Sequence, residues 1–254
     1  MYTLKKSLGQ HFLKDENICK KIIAAIQQYP FNNLLEIGPG GGAITKYLVE
    51  ISGIDFKAVE FDTEKIDFLL SNYPSLKGKL INKDFLEMDK PFNESFAIAG
   101  NFPYNISSQI LFKILDWRES VVQVVGMFQK EVAQRVAAKE GNKIYGVISV
   151  LIQAFFKVEY LFEVNERSFN PPPKVKSAVI RLIPLDSAVN MNDHASFINL
   201  VKTAFNQRRK TLRNAVKNLF EAEILKDEIF SKRAEQLSVI EFGELSFKMK
   251  KING

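Results

Sequence analysis

The stretch Leu34-Leu35-Glu36-Ile37-Gly38-Pro39-Gly40-Gly41-Gly42 decides the fold. A short β-prone run, Leu34 to Ile37, gives way to a glycine-rich turn, and Ala43 to Ile51 beyond it has the pattern of a helix. Glycine lets the backbone turn sharply and approach a ligand closely, and the N-terminus of the following helix favours an anionic group such as a carboxylate. The same residues also fit an ordinary tight strand-to-helix turn. They are not a Walker sequence, because Gly-Lys-Ser/Thr is missing. Nor are they a full G-x-G-x-x-G fingerprint, because Ala43 stands where the third glycine belongs.

Outward from this turn, further β-prone runs occur at Asp55 to Phe61, Lys79 to Asn82, Ser95 to Gly100 and Val121 to Phe128, with helical stretches such as Thr63 to Asn72 and Ser107 to Leu115 between them. Such alternation predicts βαβ units, a mostly parallel sheet and helices on both faces, an α/β fold of the Rossmann-like kind. Upstream, Asp15 to Tyr29 sets Ile18, Ile22, Ile23 and Ile26 on one helical face behind Asp15 as N-cap. Downstream, Lys157 to Val164 and Ser177 to Ile183 flank a turn-rich stretch containing Pro171, Pro172 and Pro173, and without a helix between them they are expected to pair antiparallel. Pro184 to Asp193 reads as a linker. After it, Phe197, Leu200, Val201, Ala204 and Phe205, then Leu212, Ala215, Val216, Leu219 and Phe220, repeat at helical spacing. The expected organisation is therefore residues 1–184 as an α/β domain and 185–254 as a small all-α domain.

The chain has 254 residues, 46% apolar and 25% charged, which excludes a disordered or fibrous protein and supplies a substantial core. Lys and Arg outnumber Asp and Glu by 35 to 29, a net charge of +6 that favours a polyanionic partner without identifying one. The single cysteine, Cys19, has no disulfide partner and no His/Cys cluster around it, so neither redox chemistry nor a metal site is expected. Two histidines, His11 and His194, supply histidine-based catalysis poorly. The first residues carry lysines but no apolar leader, and the longest apolar run, Val147 to Phe156, is interrupted by Ser149 and Gln153 and is too short to span a bilayer. The expectation is a cytoplasmic protein without membrane or metal, acting as a monomer.

Three strand ends deliver polar groups in succession. The glycines come first; Glu60, about twenty residues on, suits a carboxylate that accepts from both hydroxyls of a ribose; and Asp84, after the third strand, suits an acceptor for an adenine amino group. Each alone also fits a solvated acid at a strand end. Together they form one constellation fit for an adenosine-bearing cofactor. The fourth strand ends in Asn101-Phe102-Pro103-Tyr104. An exocyclic adenine amine is a poor nucleophile, because its lone pair is delocalised into the ring. The Asn101 side-chain carbonyl and the Phe102 backbone carbonyl can accept both N6 hydrogens and so direct the lone pair at an electrophilic methyl group. Tyr104 can stack on a flipped base, and Pro103 holds the turn rigid with no N–H to compete for the Phe102 carbonyl. Ser7 to Leu13 can fold over the cofactor or remain a structureless arm. Arg208, Arg209 and Lys210, with Arg213 and Lys217, form a basic cluster at a helix–helix junction that fits phosphate contact or a solvated face.

At these residues the sequence resembles the ribosomal RNA adenine dimethyltransferase family, in its bacterial small-subunit branch. The matching segments run nearly end to end: Ser7 to Leu13, Glu36 to Gly40, Val59-Glu60, Asp84-Phe85, Asn101 to Ser107, Phe128 to Arg135, Pro173 to Ser177 and Phe205 to Arg213. The resemblance implies a seven-stranded Rossmann-like sheet with one reversed strand, a helical C-terminal domain that contacts RNA, and S-adenosyl-L-methionine as cofactor. It implies dimethylation of N6 on two adjacent adenosines near the 3′ end of 16S rRNA, in the immature small ribosomal subunit. By the same resemblance His11, Leu13, Gly38, Gly40, Glu60, Asp84, Phe85 and Asn101 bind the cofactor, Phe102, Pro103 and Tyr104 join Asn101 around the target base, and Arg208, Arg209, Lys210 and Arg213 contact rRNA. Phe102 stands where Leu is usual, Gln109 where Pro is frequent, and Gly141 to Val147 departs from the usual loop with Ile144 at a commonly acidic position. Two neighbouring readings keep the chemistry: the antibiotic-resistance branch that methylates large-subunit RNA, against which Phe205 to Arg213 argues, and a DNA adenine methyltransferase, for which no separate target-recognition domain is found. A third makes the chain chiefly a ribosome-assembly factor with methylation secondary.

Overall fold

The computed structural model describes residues 11–250. Its strands are β1 (Phe12–Leu13), β2 (Asn33–Ile37), β3 (Asp55–Glu60), β4 (Leu80–Asn82), β5 (Phe96–Asn101), β6 (Val121–Gln129), β7 (Phe156–Val164), β8 (Phe169–Asn170) and β9 (Ser177–Pro184). The helices are α1 (Glu16–Ile26), α2 (Thr45–Leu48), α3 (Thr63–Asn72), α4 (Ser107–Asp116), α5 (Lys130–Val136), α6 (Val147–Gln153), α7 (His194–Asn206), α8 (Leu212–Ala215) and α9 (Val239–Ser246), with short 3₁₀ turns between some of them. Seven strands form one sheet in the order β4-β3-β2-β5-β6-β9-β7, and β1 pairs with β8 in a separate two-stranded ribbon. β2, β3, β4, β5 and β6 run parallel, and β9 is reversed against β6.

Strand alternation gives the sheet two apolar faces. Leu34, Phe56, Ala58, Ala97, Ala99, Val125 and Met127 enter one core with Cys19, Ile22 and Ile26 of α1, Leu48 of α2 and Leu69 of α3. Full burial of an aliphatic side chain such as Ile22 or Ile26 contributes roughly 1.5–3 kcal/mol, so the face of α1 that its 3.6-residue period defines is also what holds it to the sheet. The intervening residues Leu35, Ile37, Val59, Phe96 and Ile98 are buried as well, and Phe96 meets the Trp117 ring just past α4 at 5.9 Å.

Asp15 caps α1 as the sequence predicts, accepting from Asn17 N at 3.1 Å and Ile18 N at 3.4 Å. Its far end is closed by residues no local pattern points to. Gln123 in β6 donates to Ile26 O at 2.7 Å, and the buried Arg181 of β9 donates to Ala25 O at 2.7 Å and to the Gln28 side chain at 2.6 Å. The last carbonyls of a helix have no intrahelical partner, so these two mid-strand polar side chains are explained by satisfying them.

Two helical expectations are shortened. Ala43 to Ile51 holds only the four-residue α2, which has no side-chain cap and is flanked by tight turns in which Tyr47 N reaches Ile44 O at 3.0 Å and Ile51 N reaches Leu48 O at 3.2 Å. Leu212 to Phe220 likewise holds only α8, after which Leu219 N bonds Val216 O at 2.8 Å, a 3₁₀-type bond that keeps Val216 and Phe220 buried without a continuous α-helix.

The chain divides into two compact units. Val158–Pro184 joins the described residues before Gln134 in the first, and Gln134–Lys157 joins those from Leu185 onward in the second. The sequence grouped Gln134–Lys157 with residues 1–184. What ties it to the helical unit is specific: Leu185 N bonds Phe155 O at 2.9 Å, Val189 N bonds Ala154 O at 2.9 Å, and Tyr145 packs edge-on against Phe205 of α7. Among the described residues no helix is long and apolar enough to cross a membrane.

Candidate active site

Strands β2 to β5 are parallel and end on one edge of the sheet, and the chain order reverses between β2 and β5. Such a reversal splays the connections apart and opens a crevice at the carboxyl ends. A cavity of about 300 Å³ lies there, reached by the glycine turn after β2, by Glu60 to Asp62 after β3, by Asp84 after β4 and by Asn101 to Ile106 after β5.

Gly38 and Gly40 sit at φ +67° and +57°, in the left-handed region that disfavours a side chain, which explains both glycines at once. Gly38 N donates to Val59 O at 2.9 Å and ties the turn to β3. Glu60, 6% exposed, is a junction: its carboxylate accepts from Gly40 N at 3.2 Å and Asp62 N at 3.1 Å, and the largely buried chain of Lys65 brings Nζ to 3.5 Å. Asp62 in turn caps α3, accepting from Glu64 N at 3.1 Å. Asp84 lines the cavity and accepts from Leu86 N at 2.8 Å. Phe85, which the sequence grouped with it, does not line the cavity; its ring packs edge-on against Trp117 at 5.3 Å.

The turn after β5 is held from several sides. Phe102 N donates to Met127 O at 3.1 Å, and the Ser107 hydroxyl at the start of α4 donates to Pro103 O at 3.1 Å and Tyr104 O at 3.2 Å. The Tyr104 hydroxyl is hydrogen-bonded to Ser177 Oγ at the start of β9, and burial pushes its phenol up from the ordinary value. Its ring lies 5.9 Å from that of His11 at an interplanar angle of 30°. His11 Nδ1 donates to Pro171 O at 2.8 Å, and Lys14 N to Ser168 O at 2.9 Å, so the β1–β8 ribbon pins the arm where His11, Phe12 and Leu13 line the cavity. Ser7 to Gln10 lie outside the described residues.

Glu36, Phe61 and Lys65 are among the lining residues that escaped the sequence reading. Glu36 is 1% exposed; Thr45 Oγ1 donates to one carboxyl oxygen at 2.9 Å, and the other oxygen has no partner. Burial raises its pKa to about 8, with the charge of Glu60 pushing the same way and the Thr45 bond opposing. An acid inside the apolar run Leu34 to Ile37 was the available signal. Phe61 lines the cavity with a side chain 68% exposed, an uncommon position for a ring that size, and Lys65 neutralises Glu60.

In the second unit Arg209, Lys210 and Arg213 are exposed and Arg208 is partly so. Arg208 approaches Glu235 at 3.7 Å, and Arg213 Nε donates to Leu225 O at 2.8 Å. Among the described residues no group of His, Cys, Asp and Glu is arranged to hold a metal.

Known proteins resemble this chain over nearly its whole length. The ribosomal RNA small subunit methyltransferase A of Cytophaga hutchinsonii is 52% identical over 246 residues, 95% of each chain, and that of Flavobacterium johnsoniae is 49% identical over 249 residues, 96% of this chain and 95% of the relative. A crystal structure of a dimethyladenosine transferase from Plasmodium falciparum superposes with a TM-score of 0.78 at 28% identity, covering 91% of this chain and 94% of that one. The 23S rRNA methyltransferase ErmE shares the fold, with a TM-score of 0.69 at 22% identity over 93% of this chain and 99% of that one. Residues 1–242 match the family model of the ribosomal RNA adenine dimethylase, and with that match the chain belongs to this family.

Proposed function

We propose that the protein transfers methyl groups from S-adenosyl-L-methionine to N6 of two adjacent adenosines near the 3′ end of 16S rRNA, during maturation of the small ribosomal subunit. The observation that carries this reading is the convergence of Glu60, Asp84 and the Asn101–Tyr104 turn on a single cavity. The donor set fits the cofactor: a buried carboxylate for ribose hydroxyls in Glu60, an acceptor for the adenine amine in Asp84, an unpartnered carboxyl oxygen on Glu36, and a turn at Gly38 and Gly40 whose backbone is open to close approach. His11 and Leu13 of the arm would cover it, with Phe61 offering an apolar face. S-adenosyl-L-methionine supplies an electrophilic methyl on a sulfonium.

The chain's own contribution is to hold the amine. Asn101 Oδ1 and the Phe102 carbonyl accept the two N6 hydrogens, keep the lone pair out of the ring system and stabilise the positive charge that develops on nitrogen, a transition-state effect rather than base catalysis. Tyr104 stacks on the extruded base, and its hydroxyl, tied to Ser177, keeps the ring from rotating away. Arg208, Arg209, Lys210 and Arg213 are proposed as phosphate contacts in the helical unit, supported by their solvent-facing positions.

Single-turnover transfer of labelled methyl groups to under-methylated small subunits tests the reading, with mass spectrometry of the product nucleoside. N6,N6-dimethyladenosine in 16S rRNA is expected, and Asn101→Ala is expected to slow transfer by roughly a hundredfold or more, as for loss of one preorganised polar partner. Label in large-subunit RNA instead, or near-normal transfer by folded Asn101→Ala, would refute it. The same variant still binding small subunits tightly with no assembly defect would favour an assembly role.

A further inference from the structure

Beneath the Asn101–Tyr104 turn the sheet carries a bare patch outside the cavity. Gly100 of β5 and Gly126 of β6 are register partners in a parallel pair, so the side chains they lack would have shared one face. The Phe102 ring occupies that space. It is 1% exposed and meets the Phe128 ring at 4.9 Å and 69°, while its own N–H is held by Met127 O at 3.1 Å. A Cβ on Gly126 would overlap the Phe102 ring and lie 2.8 Å from Phe128 Cε2; one on Gly100 would overlap the same ring and lie 2.7 Å from Ile37 O. Carbon atoms attract best at about 3.5–4.0 Å, so the seat has no room for a further methyl group. Gly126 does not line the cavity and touches no reacting group.

We propose that Gly126 is a positioning residue for methyl transfer: by leaving the seat for the Phe102 ring it sets where the Phe102 carbonyl points. The inference rests on the reading above, in which that carbonyl accepts an N6 hydrogen. Phe102 is gripped at its N–H and at its ring, and the peptide leaving it toward Pro103 has its direction set between those two anchors. A methyl at residue 126 can be accommodated only by lifting the ring, which swings the carbonyl. Gly126 is the partner that the large Phe102 ring requires.

The test is a pair of substitutions and their combination, Gly126→Ala, Phe102→Leu and the double variant, assayed by single-turnover methyl transfer to small subunits at saturating S-adenosylmethionine. Cofactor affinity by calorimetry and a melting curve are recorded for each. Gly126→Ala is expected to slow transfer by about tenfold or more, since displacement of a reacting group by an ångström costs on the order of a hundredfold. Cofactor affinity, carried in the reading above chiefly by the ends of β2, β3 and β4, is expected to stay within about twofold, a split that general loss of structure would not produce. In the double variant the added methyl occupies the space the shorter Leu vacates, so transfer is expected to be faster than in either single variant. A folded Gly126→Ala that transfers normally, or a double variant no faster than Gly126→Ala, overturns the proposal. If Gly126→Ala does not fold, Phe102→Leu against the double variant decides: a faster double supports the seat and an equal or slower one overturns it. Asn101→Ala in the same assay separates the two layers. Its retention of transfer would mean the turn itself is misassigned, whereas its loss of transfer with no response at Gly126 removes only the positioning role.

Discussion

Replacing Glu60 by Gln tests the cofactor site most directly, because the structure shows how much of that carboxylate is already committed. One oxygen accepts from Asp62 N at 3.1 Å; the other accepts from Gly40 N at 3.2 Å and faces Lys65 Nζ at 3.5 Å. Truncation to Ala would strand two backbone donors and the Lys65 ammonium, mixing a folding defect with a binding defect, since each orphaned buried group costs about 1–3 kcal/mol. Gln preserves the volume and one acceptor oxygen, which can stay with Gly40 and Lys65, so that only the Asp62 N–H loses its acceptor. For the ribose, two charge-assisted bonds worth about 1.5–3 kcal/mol each become neutral ones worth about 0.5–1.5, a loss of roughly 2 kcal/mol. That corresponds to a Kd for S-adenosylmethionine weaker by about thirtyfold. Titration calorimetry at constant pH measures it, with the melting temperature as control for the fold. A Kd within about threefold of wild type in a folded protein would mean that ribose is not held by Glu60.

Tyr104→Phe and Ser177→Ala each break the same hydrogen bond and leave a buried hydroxyl or its site unpaired, so the two are expected to be non-additive by about 0.5–3 kcal/mol in stability, with the double variant no worse than Tyr104→Phe; strict additivity would refute the coupling. Tyr104→Ala is expected to weaken capture of the target base by about 1–3 kcal/mol, and Tyr104→Phe much less, as read from transfer at limiting subunit concentration. Glu36, raised from 4.5 to about 8 by burial, holds its proton in the folded state while the unfolded chain releases it, so its contribution to stability is complete below pH 4.5 and declines as pH rises through 8. Glu36→Gln is therefore expected to raise the melting temperature more at pH 8 than at pH 5, and an equal shift at both would show that Glu36 ionises normally. Replacing Arg208, Arg209 and Lys210 together is expected to weaken RNA binding and to flatten the plot of log affinity against log salt by about 0.7–0.9 for each phosphate no longer neutralised; an unchanged slope would make the cluster a solvated face.

Most of the sheet and the centre of the site were legible in the sequence, for a local reason. Strand positions follow from β-prone runs bounded by turn residues, and observed ends such as Ile37, Glu60 and Asn101 fall within a residue of those read from the pattern. Gly38 and Gly40 announce positive φ by being glycines, and Asn101-Phe102-Pro103-Tyr104 announces a rigid turn of acceptors and a ring. Helix lengths were less legible. Periodic burial at Leu212, Ala215, Val216 and Phe220 is compatible with α-helix or with successive 3₁₀ turns, because both return a side chain to the core every three to four residues.

What the sequence by itself determined is thus the order of the strands' contents: which turn holds the glycines, which strand ends carry Glu60 and Asp84, and which turn carries Asn101-Phe102-Pro103-Tyr104. What only the tertiary structure decided are the pairings across the chain. Tyr104 finds Ser177 at a separation of 73 residues, His11 finds Pro171 at 160, and Gln123 and Arg181 close the end of α1 from strands that read as plain core. Gly126 becomes meaningful only once Phe102 lies over it, and Glu36 becomes a raised acid only once the sheet closes around it. The physical reason is common to all of them. Backbone preference and hydrophobic period act over a few residues and are written locally, whereas desolvation, hydrogen-bond satisfaction and close packing depend on which distant groups share a volume.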